Sequence, residues 1–156
     1  MSAKGSRNPI GPNDVVAVNG RYLYVGNNRF FLKGIAFPTP PPSLDVVNIE
    51  GWIAVLEQLA RETEVNVVRV YEMDCQRAER YDRFLKRAAE LGMYVIVPLT
   101  SSSGDGDLSR DTKPPKCYPQ KLFNYGKTCI DSYWGYPNVL AGVIGNEVMN
   151  NFVTWQ

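Results

Sequence analysis

The chain has 156 residues, 44% of them hydrophobic, enough to bury one sizeable core. Its 17 Lys and Arg stand against 16 Asp and Glu, so no broad electrostatic field points to nucleic acid or an anionic membrane as partner. Histidine is absent, which removes Ser-His-Asp triads, Cys-His dyads and His-ligated metals and leaves acid-base chemistry to carboxylates.

Residues 1–14 are rich in Gly, Pro, Asn and Ser and read as a disordered or loosely attached leader, with order beginning near Val15. The polar start has no apolar core of the kind a secretory signal needs, and no run approaches the ~18 apolar residues that span a membrane. Between Val15 and Phe37, apolar residues alternate and are cut at Asn19-Gly20 and at Gly26-Asn27-Asn28. Both are hairpin-turn signals, so a small antiparallel ribbon is predicted, leading into a longer strand from Phe30 to Phe37. Prolines 38 and 40–42 end that strand, since they cannot continue a central ladder.

Trp52, Val55, Leu56, Leu59 and Ala60 then recur with helical spacing and predict an amphipathic helix. Val65 to Tyr71 is short and rich in β-branched residues, as a buried strand is. A second helix carries Tyr81, Phe84, Leu85 and Ala88 on one face and stops at Leu91-Gly92. Tyr94 to Leu99 reads as a third strand, followed by a long Ser, Gly, Asp and Pro-rich connection to Pro119. A third helix from Gln120 to Trp134 leads to a fourth strand, Val139 to Ile144.

Strand-then-helix steps repeated four times imply βαβ crossovers and a parallel sheet. An open doubly wound sheet requires a glycine-rich phosphate loop after an early strand, and Gly104-Asp105-Gly106 is a weak match because it opens no clear helix. The alternative is an α/β (β/α)8 TIM barrel, of which about four β/α units form the N-terminal half.

The three cysteines, Cys75, Cys117 and Cys129, are too few and too irregular for a zinc site or a disulfide framework and leave the compartment open. Cys117 and Cys129 are candidates to pair, whereas the position of Cys129 on one helix face with Leu122, Tyr125 and Ile130 favours a buried, unpaired thiol.

In (β/α)8 enzymes the chemistry lies at the carboxyl ends of the strands, where loops converge on the barrel axis. Three such ends are polar here: Tyr71 to Asp74, Thr100 to Ser103, and Gly145-Asn146-Glu147. The last carries the sharpest signal. An acid beside an asparagine, just past an apolar strand, suits a glycosidase in which the acid protonates the leaving oxygen and the amide holds a sugar hydroxyl. The bland alternative for Glu147 is a carboxylate capping the segment that follows. Glu72 and Asp74 also sit at a strand end, where loop capping is the commoner role for such acids.

The wording around these positions resembles family 72 of the glycoside hydrolases, the β-1,3-glucanosyltransferases of yeast and mould cell walls. Gly145-Asn146-Glu147-Val148, with Asn150-Asn151 beyond it, is similar to the family's fourth-strand motif. Phe30 to Phe37 resembles its first strand, Asn66 to Tyr71 its second, Leu91 to Ile96 its third, and Pro137 to Gly142 its approach to strand four. Together these stretches cover about residues 16 to 151.

The resemblance implies a retaining enzyme acting on β-1,3-glucan, without cofactor or metal, at the cell surface or outside the cell. It assigns Glu147 as catalytic acid/base and places Asn146 and Tyr71 in the substrate subsite. The implied nucleophile belongs near strand seven, beyond Gln156, so residues 15–156 are expected to be a partial barrel domain truncated after strand four and inactive alone. Two departures stand out: Pro98 occupies a place where the family usually has an aspartate, and no cysteine lies between Asp45 and Val70. Other readings are a non-catalytic or degenerate glucan-binding barrel, or a related cellulase-like or mannanase-like glycosidase. Hydrolysis and transfer differ only in the acceptor, which the sequence leaves open.

Overall fold

The computed structural model describes residues 7–37, 48–102, 104–108, 116 and 118–145. Three short strands, β1 (Val16–Asn19), β2 (Tyr22–Val25) and β3 (Asn28–Phe30), form an antiparallel ribbon. Two-residue loops join them, and their first residues, Gly20 and Gly26, have φ of 60° and 55°. Only glycine enters this region freely, which explains the turn signals in the sequence.

The predicted strand from Phe30 to Phe37 is divided. Phe30 belongs to the ribbon, whereas β4 (Gly34–Phe37) opens a separate parallel sheet. The break is held by Asn66, whose side-chain amide donates to the Phe31 carbonyl at 2.8 Å and whose side-chain oxygen accepts from the Lys33 N–H at 2.8 Å. Apolar content alone cannot show such a change of sheet, because both halves read as strand.

The parallel sheet runs in the order β4, β5 (Val67–Val70), β6 (Tyr94–Pro98) and β7 (Val139–Val143). Helix α1 (Ile49–Glu62) connects the first pair, and its N-cap Asn48 accepts from the Gly51 N–H at 2.9 Å. A 3-10 segment, Cys75–Tyr81, precedes α2 (Asp82–Glu90) in the second connection. Helix α3 (Gln120–Tyr133) stands in the third. Among the described residues no helix is long and apolar enough to cross a membrane.

One core lies between sheet and helices. Val68 and Val70 of β5 and Val95 and Val97 of β6 meet Leu56 of α1, Phe84, Leu85 and Ala88 of α2, and Cys129 and Tyr133 of α3. Phe37, Trp52 and Phe84 pack edge-on or tilted with ring centres 5.2–5.8 Å apart. Among the described residues Asn138 is the buried polar one in this region; its amide nitrogen donates to the carbonyls of Leu85 and Met93 at 2.9 and 3.3 Å. It therefore ties the residue before β7 to α2 and to the approach of β6.

Order begins earlier than the sequence predicted. Arg7 donates to the Thr63 carbonyl at 2.8 Å and the Ile10 N–H to the Ala89 carbonyl at 2.8 Å, so residues 7–14 rest on the body of the fold. Gly92 makes this close approach possible. Its φ is +68°, and a Cβ there would meet the Asn8 carbonyl oxygen at 2.7 Å and the Arg7 Cβ at 2.8 Å.

Candidate active site

Because β4 to β7 are parallel, their carboxyl ends lie on one side of the sheet. Tyr71 just past β5, Leu99 to Ser102 past β6 and Gly145 past β7 therefore share that side. The predicted Asn146 and Glu147 follow Gly145 directly and lie outside the described residues.

Strand alternation decides which side chains face the candidate cleft. Val68 and Val70 point into the helix-covered core, so Val67, Arg69 and Tyr71 occupy the opposite face. The Arg69 guanidinium lies 4.6 Å from the centre of the Tyr71 ring, which fixes the orientation of a tyrosine that is 38% exposed. At the other end of this face, Phe30 of the ribbon packs edge-on against Tyr94 with centres 5.1 Å apart. The Tyr94 hydroxyl donates to the Asp14 carbonyl at 2.5 Å. The ribbon thus closes the amino end of the sheet, away from Tyr71.

The two other acids at this rim have different roles. Asp74 caps the 3-10 segment by accepting from the Gln76 N–H at 3.0 Å and pairs with Arg77 at 3.3 Å, which is the loop-capping role. Glu72 is half-buried, and its carboxylate accepts from the backbone and side chain of Ser102. Burial pushes the Glu72 carboxyl above its ordinary pKa, and the Ser102 hydrogen bonds partly oppose this by stabilising the charged form. Sequence reasoning had no means of finding this contact, which joins two connections 30 residues apart in number; serine and glutamate are both ordinary loop residues.

The unpaired thiol predicted at Cys129 is corrected by the structure. Cys129 forms a disulfide with Cys75, joining α3 to the segment that follows Tyr71 and Glu72. The helical spacing correctly placed Cys129 on the buried face with Leu122 and Tyr125, which is turned to the start of the 3-10 segment, whereas Ile130, assigned to the same face, is 40% exposed. Cys117, the other candidate partner, lies outside the described residues. Tyr125, one turn before Cys129, reaches Ser101 in the connection after β6, so α3 braces both neighbouring strand-end segments.

Residues 11–156 match the family model described as Glucanosyltransferase, glycoside hydrolase family 72. The chain belongs to this family. Among curated relatives it is 26% identical over 140 residues to the 1,3-beta-glucanosyltransferase gel1 of Aspergillus fumigatus, covering 87% of this chain and 29% of gel1. It is 30% identical over 165 residues to the 1,3-beta-glucanosyltransferase gas4 of Schizosaccharomyces pombe, covering 99% of this chain and 33% of gas4. A crystal structure of ScGas2 in complex with a compound superposes with a TM-score of 0.68 at 23% identity, over 88% of this chain and 31% of that one. The family 72 chain thus spans about a third of the length of these relatives. Its four-stranded parallel sheet with helices on one face corresponds to part of their (β/α)8 barrel.

Proposed function

We propose that this family 72 chain supplies the acid/base half of a retaining β-1,3-glucan glucanosyltransferase. The observation that carries the reading is the shared sheet end of Tyr71 and Gly145, because Gly145 immediately precedes Asn146 and Glu147. In the proposed first step, Glu147 protonates the departing glycosidic oxygen while a glutamate from another part of the barrel attacks the anomeric carbon. In the second, Glu147 removes the proton from an acceptor hydroxyl as that oxygen displaces the enzyme carboxylate. Asn146 holds a hydroxyl of the sugar beside the scissile bond, and the ring of Tyr71 forms one wall of the same subsite.

The substrate proposed is β-1,3-glucan, the polymer named in the relatives' activity. The proposed location is the cell surface or beyond it. The Cys75–Cys129 disulfide supports this placement, since such bonds persist in oxidising compartments. The full-length protein, incubated with reduced laminari-oligosaccharides, is expected to yield β-1,3-linked products longer than the substrate. Shorter products alone would make it a hydrolase, and no conversion at all would remove the catalytic reading.

A further inference from the structure

Tyr71 stands just past the last paired position of its strand, Val70, which is in register with Phe37. The 3-10 segment begins at Cys75, and residues 71–74 belong to neither element. The place of the tyrosine is therefore set by what holds the two ends of this short irregular stretch. One end is β5 itself, with the Arg69 guanidinium 4.6 Å from the centre of the Tyr71 ring.

The other end is Cys75, and α3 holds it twice. Its sulfur is bonded to Cys129, and its carbonyl accepts from the Ser132 hydroxyl at 3.2 Å, about one turn further along the same helix. Met73, between Tyr71 and Cys75, is buried. The helix is in turn seated against the connection after β6, where a Cβ on Gly106 would come within 2.6 Å of the Tyr125 ring. With both sulfurs buried, a reductant in solution has no access to the bond in the folded chain, so it is a permanent fixture and not a switch. Without it, the stretch is left to the packing of Met73 and the cap made by Asp74.

We propose that the Cys75–Cys129 disulfide is a positioning element of the candidate subsite, holding Tyr71 where the apolar face of a glucosyl unit rests on its ring. This rests on the functional reading above and adds a device to the same site. Ser132 assists by fixing the Cys75 backbone to the same helix.

The test measures KM and kcat of the full-length protein on reduced laminarihexaose. Wild type is compared with Tyr71→Ala, with the Cys75→Ala and Cys129→Ala pair, and with all three substitutions together, each below its thermal midpoint. Loss of the bond is expected to raise KM about tenfold, as when on the order of a tenth of the molecules hold the binding-competent arrangement. Most of the change should appear in KM and little in kcat. In the Tyr71→Ala background, removing the bond should raise KM no further, because the ring it positions is gone. An unchanged KM, or a rise repeated in full without Tyr71, overturns the positioning role and leaves the functional reading standing. Should the cysteine pair variant not fold, Ser132→Ala decides, since it keeps the disulfide and frees only the Cys75 carbonyl. A KM raised about twofold at a constant thermal midpoint supports the proposal, and an unchanged KM overturns it. A wild-type protein that converts no laminarihexaose overturns the functional reading itself, and this inference with it.

Discussion

Cys75 and Cys129 are joined by a disulfide that pins the start of the connection after β5 to the C-terminal half of α3, 54 residues later. Both cysteines are buried, with 2% and 0% exposure, so the link lies inside the core and not on its surface. Chain-entropy arguments give a bond closing a loop of this length a contribution of about 4 kcal/mol. Replacing both residues by alanine should lower the unfolding free energy by about that amount. Urea denaturation of wild type and double variant, each with and without reductant, checks this. A wild type insensitive to reductant and equal in stability to the variant would show that the bond does not form in solution.

Glu72 gives a prediction about pH. Burial raises its pKa in the folded chain, so folding favours the protonated form. Its contribution is fully present below the ordinary carboxylate range and is lost as pH rises from there through the raised pKa, because the folded state then holds the proton that the unfolded state has released. Glu72→Gln should flatten this part of the stability profile. Partial exposure and solvent screening keep the change small, so the more direct measurement is a side-chain carboxyl titration by NMR. The midpoint should lie above that of an ordinary glutamate, and Ser102→Ala should move it higher still, since the lost hydrogen bonds favour the ionised form. A midpoint at or below the ordinary value would contradict the burial seen here.

Asn138 tests the joint between α2, β6 and β7. Its amide satisfies two buried carbonyls, while its own side-chain oxygen has no partner among the described residues. Asn138→Ala leaves the Leu85 and Met93 carbonyls without that donor and should cost about 1–3 kcal/mol. Asn138→Asp should cost more at neutral pH, because the carboxyl must either ionise in a buried site against two carbonyl oxygens or bind a proton at a cost that grows with pH. Chemical denaturation of both variants measures the order, and an aspartate variant as stable as wild type would contradict the burial of this side chain.

How far the sequence could be read depended on the range of each interaction. Strands β5, β6 and β7 and helices α1 and α3 were legible because their periodicity is local, as with the β-branched run ending at Tyr71 or the helical spacing of Leu122, Tyr125 and Cys129. Features set by contacts between distant segments were not. Asn66 breaks the strand between Phe31 and Lys33 from more than 30 positions away. Arg7 and Ile10 are ordered by Thr63 and Ala89, although their own surroundings read as loose. The rim of the sheet divides in the same way: the place of Tyr71 at a strand end was legible from the β-branched run before it, whereas the Glu72–Ser102 contact exists only because two parallel strands lie side by side.

In the proposed mechanism Glu147 is the acid/base of a retaining glucosyl transfer. A retaining transfer needs two carboxyl groups about 5 to 5.5 Å apart, and Glu147 is the proton-shuttling one of the pair in this mechanism. In the full-length protein Glu147→Gln should lower the rate by about 10² to 10⁴, since shape is kept and the titrating proton is lost. The most direct measurement supplies azide to a full-length Glu147→Ala variant with an activated aryl β-glucoside. The good leaving group lets the glycosyl-enzyme form without acid, and the small anion intercepts it where the base has been removed. A β-configured glycosyl azide is the expected product. An α-configured azide would make Glu147 the nucleophile, and unchanged wild-type activity in the variant would remove it from the chemistry altogether.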